Sequence, residues 1–279
     1  MRLGYNTNGL PHHRLGDALK LLSDDGYSSV ALTIEVGQLD PYERPDLYRE
    51  QVDEVRRNLR DLGMACVVET GARYVLNPRK KHDPTLLDPD PTRRASRIDF
   101  LKRSIAISAA LGSPLISFWS GILPDQAADE VAYDRLVEGI REVLAEAEKH
   151  GVALAFEPEP GMFIDTMARF AELDRRIQHE LFQLTIDIGH VHCIEDGTIG
   201  SHLKSWASRI INIHIEDMKR GVHDHLMFGE GTIDFDDVIS ALSEIRYRGG
   251  SHVELSRHSH MAVEAVRRSA EFLKGKLGR

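Results

Sequence analysis

Apolar and polar positions along the chain follow two periods that take turns. Short runs rich in β-branched residues recur at RLGYNTN (2–8), SVALTIE (29–35), MACVVET (64–70), PLISFWS (114–120), VALAFEP (152–158), FQLTIDI (182–188), RIINIHI (209–215) and GSHVELS (250–256), each about as long as a strand. Between them lie longer stretches with apolar residues every three or four positions, such as RLGDALKLLSDDG, ASRIDFLKRSIAISAALG, DRLVEGIREVLAEAEKHG and HMAVEAVRRSAEFLKGKLG. Several of these close on glycine, which suits a helix ending in a left-handed residue. Strands and helices alternating in this way predict an α/β protein, a single (β/α)8 TIM barrel, with residues 1–279 forming one domain. A doubly wound open sheet is the other architecture this rhythm allows, but the Gly-rich phosphate loop expected after its first strand is missing.

The rhythm breaks for longest at TGARYVLNPRKKHDPTLLDPDP (70–91), where Gly, Pro and charge replace periodicity. Loops of that length are usually functional or disordered. After the third strand it would lie on the C-terminal face of a barrel, so the sequence predicts a lid, with Arg73, Lys80, Lys81 and His82 available to an anionic or polyol substrate. A solvated excursion is the plainer reading of any one of those side chains.

Composition narrows the partners. With 279 residues, 42% of them hydrophobic, the chain can bury a sizeable core. A formal net charge of -9 without a basic stripe argues against nucleic acid and against an anionic membrane. The 2 cysteines, Cys66 and Cys193, are far apart and form no CxxC, so neither a disulfide framework nor a thiolate metal site is indicated. No apolar leader and no segment of bilayer length is visible, and the expectation is a soluble, cytoplasmic protein acting on a small molecule, with homo-oligomerisation left open.

Barrel chemistry is built where strands end, so the residues that end the later runs carry the most information. VALAF leads into Glu157, FQLTI into Asp187, RIINI into His214 and GSHV into Glu254. Three carboxylates and an imidazole delivered to one rim are a ligand set for a divalent cation. Taken singly, each has a bland explanation: a loop-edge acid for Glu157, an ion pair with Arg257 for Glu254, a satisfied core histidine for His214. Together they favour a shared cation, because burying three acids at strand ends without a counter-charge is costly.

In order and spacing, LAFEPEPG, LTIDIGHVH, IINIHIEDMKRG, FGEGTIDF and HVELS resemble the xylose-isomerase-like TIM-barrel superfamily, the sugar phosphate isomerase/epimerase group. The resemblance covers essentially the whole chain and is most specific in its C-terminal half. It implies that Glu157, Asp187, His214 and Glu254 are metal ligands and that His190 contacts substrate or a further metal. The function expected is that of a divalent-metal-dependent isomerase or epimerase moving an α-proton on a sugar, keto-sugar or cyclitol, with Glu157 and Glu254 doubling as base and acid. Oxygen-rich ligation suits Mn²⁺ or Mg²⁺, and the imidazole admits Co²⁺ or Zn²⁺. A lyase or dehydratase on a keto-sugar or inosose, starting from the same proton abstraction, is the nearest rival. A zinc phosphodiester hydrolase of the endonuclease IV type is the rival from another class, and a barrel that only binds a metabolite is a third.

GVHDHLMFGEG departs from the simple epimerase pattern. It places His223, Asp224 and His225 where endonuclease IV supplies ligands to additional zincs, so the two histidines are read either as contacts for substrate hydroxyls or, with His190, as ligands of a second metal. Glu69, Glu159 and Arg220 are further candidates for substrate binding. Asn6 and Asn8 would line the pocket floor or cap a turn, Glu35 and Glu69 would bind hydroxyls or pair with Arg73, and Trp119 would offer a stacking face or pack in the core.

Overall fold

The computed structural model describes residues 1–278. All eight expected strands form: β1 (Arg2–Asn6), β2 (Ser29–Thr33), β3 (Ala65–Glu69), β4 (Leu115–Phe118), β5 (Ala153–Phe156), β6 (Phe182–Asp187), β7 (Ile210–Ile215) and a last strand at Gly250–Val253. Two short strands that the hydrophobic pattern does not foresee, β8 (Asp217–Lys219) and β9 (Val222–Leu226), pair antiparallel after β7, so the last strand is β10. The eight long-range strands close in the order β1-β10-β7-β6-β5-β4-β3-β2, a parallel (β/α)8 barrel. No helix among the described residues is long and apolar enough to cross a membrane.

Contacts are densest within two parts of the described chain, residues 1–32, 57–66 and 184–278, and residues 33–56 and 67–183. In the first part, the parallel register sets Asp187 opposite His214, and His214 opposite His252. Glu254 follows β10, its N–H donating to Ile215 O at 3.3 Å. Because side chains alternate between the faces of a strand, Asn212, His214 and Glu216 fall on one side, as do Gly250, His252 and Glu254. Polar residues at every second place therefore form two tiers, with Asn212 and His252 beneath His214 and Glu254.

Helices in the second part show why the sequence terminates them where it does. Helix α4 (Asp129–His150) carries Asp129 and Glu130 in its first turn and Lys149 and His150 in its last, matching the helix dipole, and stops at Gly151, whose φ of 64° is left-handed. Helix α3 (Pro91–Leu111) opens with the Asp90 side chain accepting from Thr92 N–H and with proline at the first position.

The segment 70–91 is largely tied down. Residues 83–88 are buried, whereas Arg79, Lys80 and Lys81 are exposed. Arg97 of α3 is the anchor: its guanidinium donates to Pro84 O at 2.8 Å and His82 O at 2.9 Å, and lies 5.1 Å from the centroid of the Trp119 ring. Burial lowers its pKa to about 10, which leaves it charged at neutral pH. Arg93 ties Asp88 and Asp83 in the same way. The segment thus has a fastened base and a short exposed tip around residues 78–81. Arg97→Met should loosen that base. Losing charged hydrogen bonds worth about 1.5–3 kcal/mol each predicts amide exchange at 82–88 faster by at least about tenfold, measurable by mass spectrometry, with exchange at 78–81 unchanged.

Candidate metal centre and active site

Asp187 shows how local sequence builds the centre. It ends β6 and is also the N-cap of α6 (Ile188–Ile194), so its Oδ1 accepts from His190 N–H at 2.9 Å. Capping consumes one oxygen and leaves Oδ2, which is buried without a hydrogen-bond partner. On neighbouring strands, His214 Nδ1 lies 2.8 Å from Glu254 Oε2, and Asn8 Nδ2 donates to Glu254 Oε1 at 2.7 Å. Glu157 follows β5, its N–H donating to Phe118 O at 2.8 Å, and its side chain is buried. Glu157, Asp187, His214 and Glu254 each present a ligand atom, and these atoms lie within 4.8 Å of one another.

That donor set fits a hard divalent cation. Burial pushes the Asp187 pKa up, yet His190, His225 and His214 draw it below the usual carboxylate value. Glu254 is likewise held ionised against its burial, chiefly by His214. The buried, unpartnered Asp187 Oδ2 is the kind of atom a cation satisfies.

A second group borders the first through Asp187. Asp187, Glu216 and His225 offer ligand atoms within 4.8 Å of one another, and so do His190, His223 and His225. His190 Nε2 and His223 Nε2 are 3.1 Å apart, and the three imidazole rings meet with centroids 4.8 to 5.5 Å apart. Burial lowers the His190 pKa to about 4. Neither Glu216 oxygen has a hydrogen-bond partner, and His225 Nδ1, also without one, is 3.8 Å from Glu216 Oε2, an electrostatic rather than a hydrogen-bonded distance. Glu216 is pushed well above the carboxylate range by burial and then by Asp187. For His225, burial works downward, but Glu216 and the other carboxylates lift the pKa to about 10. Gly189 makes room for this packing, since a Cβ there would stand 2.0 Å from Glu216 Oε1.

The other predicted residues divide. His190, His223 and His225 meet at the site as described. Glu69 is buried at the end of β3, and Glu159 sits in a turn in which its N–H donates to Ile164 O at 3.1 Å. Arg220 is engaged elsewhere: its guanidinium donates to His192 O at 3.0 Å and Glu195 O at 2.8 Å, where the last carbonyls of α6 attract a cation. Arg73 pairs with Glu35 at 2.7 Å. Asn6 caps a turn by accepting from Asn8 N–H at 3.0 Å, while Asn8 itself holds Glu254. His260, at the head of the HMAVEAVRRSAEFLKGKLG stretch, lies in a 3-10 turn ahead of α9 (Ala262–Lys276). Glu216 was not foreseen, although it lies two positions beyond a predicted ligand in a strand-end pattern of period two.

Comparison with known proteins agrees with this architecture. The family model described as "Xylose isomerase-like TIM barrel" matches residues 19–276. The L-ribulose-5-phosphate 3-epimerase UlaE of Escherichia coli O17:K52:H18 is 23% identical over 265 residues, covering 94% of this chain and 90% of its own. The crystal structure of a D-allulose 3-epimerase from Methylomonas sp. in complex with D-allulose superposes with a TM-score of 0.77 at 17% identity, covering 99% of this chain and 97% of its own. That of the IOLI protein with a bound zinc atom superposes with a TM-score of 0.79 at 18% identity, covering 100% of this chain and 98% of its own.

Proposed function

The chain belongs to the xylose isomerase-like TIM-barrel family, and from that premise we propose that it is a divalent-metal-dependent epimerase or isomerase that moves the proton next to the carbonyl of a ketose or keto-sugar. The observation that carries this reading is the buried set Glu157, Asp187, His214 and Glu254, with its ligand atoms within 4.8 Å of one another. The sugar epimerases among its relatives support it over phosphodiester hydrolysis. Residues 1–279 are read as one catalytic domain.

A bound Mn²⁺, Mg²⁺, Co²⁺ or Zn²⁺ would supply Lewis-acid stabilisation of the negative charge that develops on the substrate oxygens, an effect worth several kcal/mol. The rest falls to the protein. Glu254 accepts from Asn8 Nδ2 at one oxygen, which orients the carboxylate, and it is held in the ionised form that a base requires. Glu157 is the second carboxylate and would deliver or remove a proton on the opposite side. His190, His223 and His225 would hold substrate hydroxyls, with Glu69 and Glu159 as further contacts.

Specific atoms favour a second reading of the histidine group. Asp187 Oδ2, both Glu216 oxygens and His225 Nδ1 are buried without hydrogen-bond partners, an arrangement that a second cation would satisfy. One experiment tests both readings. Purified protein loaded with Mn²⁺ is incubated in D₂O with a panel of ketoses, ketocyclitols and 3-keto-glycosides, solvent deuterium at the α-carbon is followed by NMR, and bound ions are counted by elemental analysis. Exchange with one ion per chain is the expected result. Two ions would establish the second reading, and no exchange from any member of the panel with metal bound would overturn the first.

A further inference from the structure

Beneath His214 runs a chain of polar side chains with no charged member. His252 is wholly buried in β10, and its imidazole is accommodated because β1 and β10 offer glycines against it: a Cβ on Gly4 would lie 2.2 Å from His252 Cδ2, and one on Gly250 2.3 Å from Cε1. Its Nε2 is 2.9 Å from Ser29 Oγ, and its Nδ1 is 2.9 Å from Asn212 Oδ1. The other end of the same amide, Asn212 Nδ2, is 3.4 Å from His214 Nε2 and 3.4 Å from Thr185 Oγ1. His214 Nδ1 then meets Glu254 Oε2 at 2.8 Å.

These contacts have a direction. With Asn212 Oδ1 toward His252 and Nδ2 toward His214, the consistent assignment is that Ser29 donates to His252, His252 Nδ1–H to Asn212, the Asn212 amide to His214 Nε2, and His214 Nδ1–H to Glu254. In this arrangement the proton of His214 occupies the nitrogen that faces the carboxylates, which is the nitrogen a cation would need bare. A neutral imidazole can free Nδ1 only by carrying its proton on Nε2, and a buried Nε2–H requires an acceptor. Turning the Asn212 amide over supplies one, because its oxygen and nitrogen are alike in size. The amide nitrogen then donates to His252 Nδ1, which moves the proton of His252 to Nε2, donating to Ser29. Hydroxyls at Ser29 and Thr185 can donate or accept, so they serve both arrangements.

We propose that Asn212 and His252 are positioning residues forming a reversible hydrogen-bond relay that sets the tautomer of His214, and that loading the metal centre reverses the direction of every bond from His214 down to Ser29. Neither residue is among the side chains that present ligand atoms to the metal centre. No charge moves through the relay; each imidazole exchanges one ring N–H for the other. The inference rests on the metal-centre reading above.

The test uses full-length protein labelled with ¹⁵N at histidine, with Zn²⁺ added as a diamagnetic probe. Long-range ¹H–¹⁵N spectra report which ring nitrogen is protonated, and the expected result is that His252, a residue outside the ligand set, changes from Nδ1–H to Nε2–H on loading. Calorimetry with Mn²⁺ supplies a second readout. Asn212→Leu should weaken binding by about 10–100-fold, the usual cost of losing an outer partner of a metal-bound imidazole, and should abolish the His252 change. Asn212→Asp should keep wild-type affinity, since a carboxylate accepts from His214 Nε2–H. An unchanged His252 tautomer in Zn²⁺-loaded wild type, or Asn212→Asp weakened as much as Asn212→Leu, would overturn the relay while leaving the metal centre standing. Wild-type protein that takes up neither Zn²⁺ nor Mn²⁺ would overturn the metal-centre reading and the relay with it.

Discussion

Glu254→Gln and Glu157→Gln are each expected to lower α-proton exchange by about 10²–10⁴-fold, the usual contribution of a general base or acid, measured with metal at saturating concentration. Glutamine keeps the size of the side chain and one neutral coordinating oxygen, so affinity for the ion should fall far less than the rate. Direction separates the two carboxylates. If one epimer presents its proton to Glu254 and the other to Glu157, each variant should still exchange one epimer slowly while interconversion stops in both. If a single base serves both directions, only one variant loses exchange altogether, and the other behaves as a weakened metal site. A loss below about tenfold in both variants, with metal bound, would mean that neither carboxylate moves the proton.

The second large effect is on metal affinity. Asp187→Asn and His214→Ala should each weaken binding by more than about 100-fold, because losing a direct ligand exceeds the 10–100-fold cost of losing an outer partner. Asparagine is the informative replacement at 187. It can still cap α6 by accepting from His190 N–H, a contact worth about 1 kcal/mol, so loss of the ion would not be confused with loss of the helix start. Wild-type stoichiometry and affinity in both variants, by calorimetry, would remove these residues from the centre.

Strand ends were legible in the sequence because a parallel barrel confines its chemistry to one rim, and Glu157, Asp187, His214 and Glu254 stand directly behind apolar runs. Their shared location follows from that rule together with the cost of burying lone acids. Residues in the tier below were not legible. Asn212 and His252 interrupt apolar runs as single polar residues, and only register across strands nearly 40 positions apart in sequence makes them neighbours. Glu216 was hidden by its neighbour: in IEDMK the acid reads as part of a charged loop, whereas Asp217 takes the loop role by accepting from Met218, Gly229 and Ile233 N–H, and Glu216 turns inward. Arg97 was hidden in α3, where an arginine reads as a surface residue until the 70–91 segment folds onto it. The hairpin escaped because V-H-D-H-L alternates without an apolar face to bury.

That hairpin carries a consequence for how such a protein can diversify. His223 and His225 project from the same side of β9, while Asp224 between them pairs with Arg257 on the other. Its base is stapled by the Asp217 carboxylate, and its turn by Gly221 N–H donating to Cys193 O at 2.9 Å. A short ribbon fastened at its two ends and contributing two side chains behaves as an exchangeable cassette. On the proposed function, insertions, deletions or substitutions in 218–228 would change which part of a sugar is gripped without disturbing Glu157 and Glu254, so lineages built on this barrel would be free to trade substrates while keeping one chemistry.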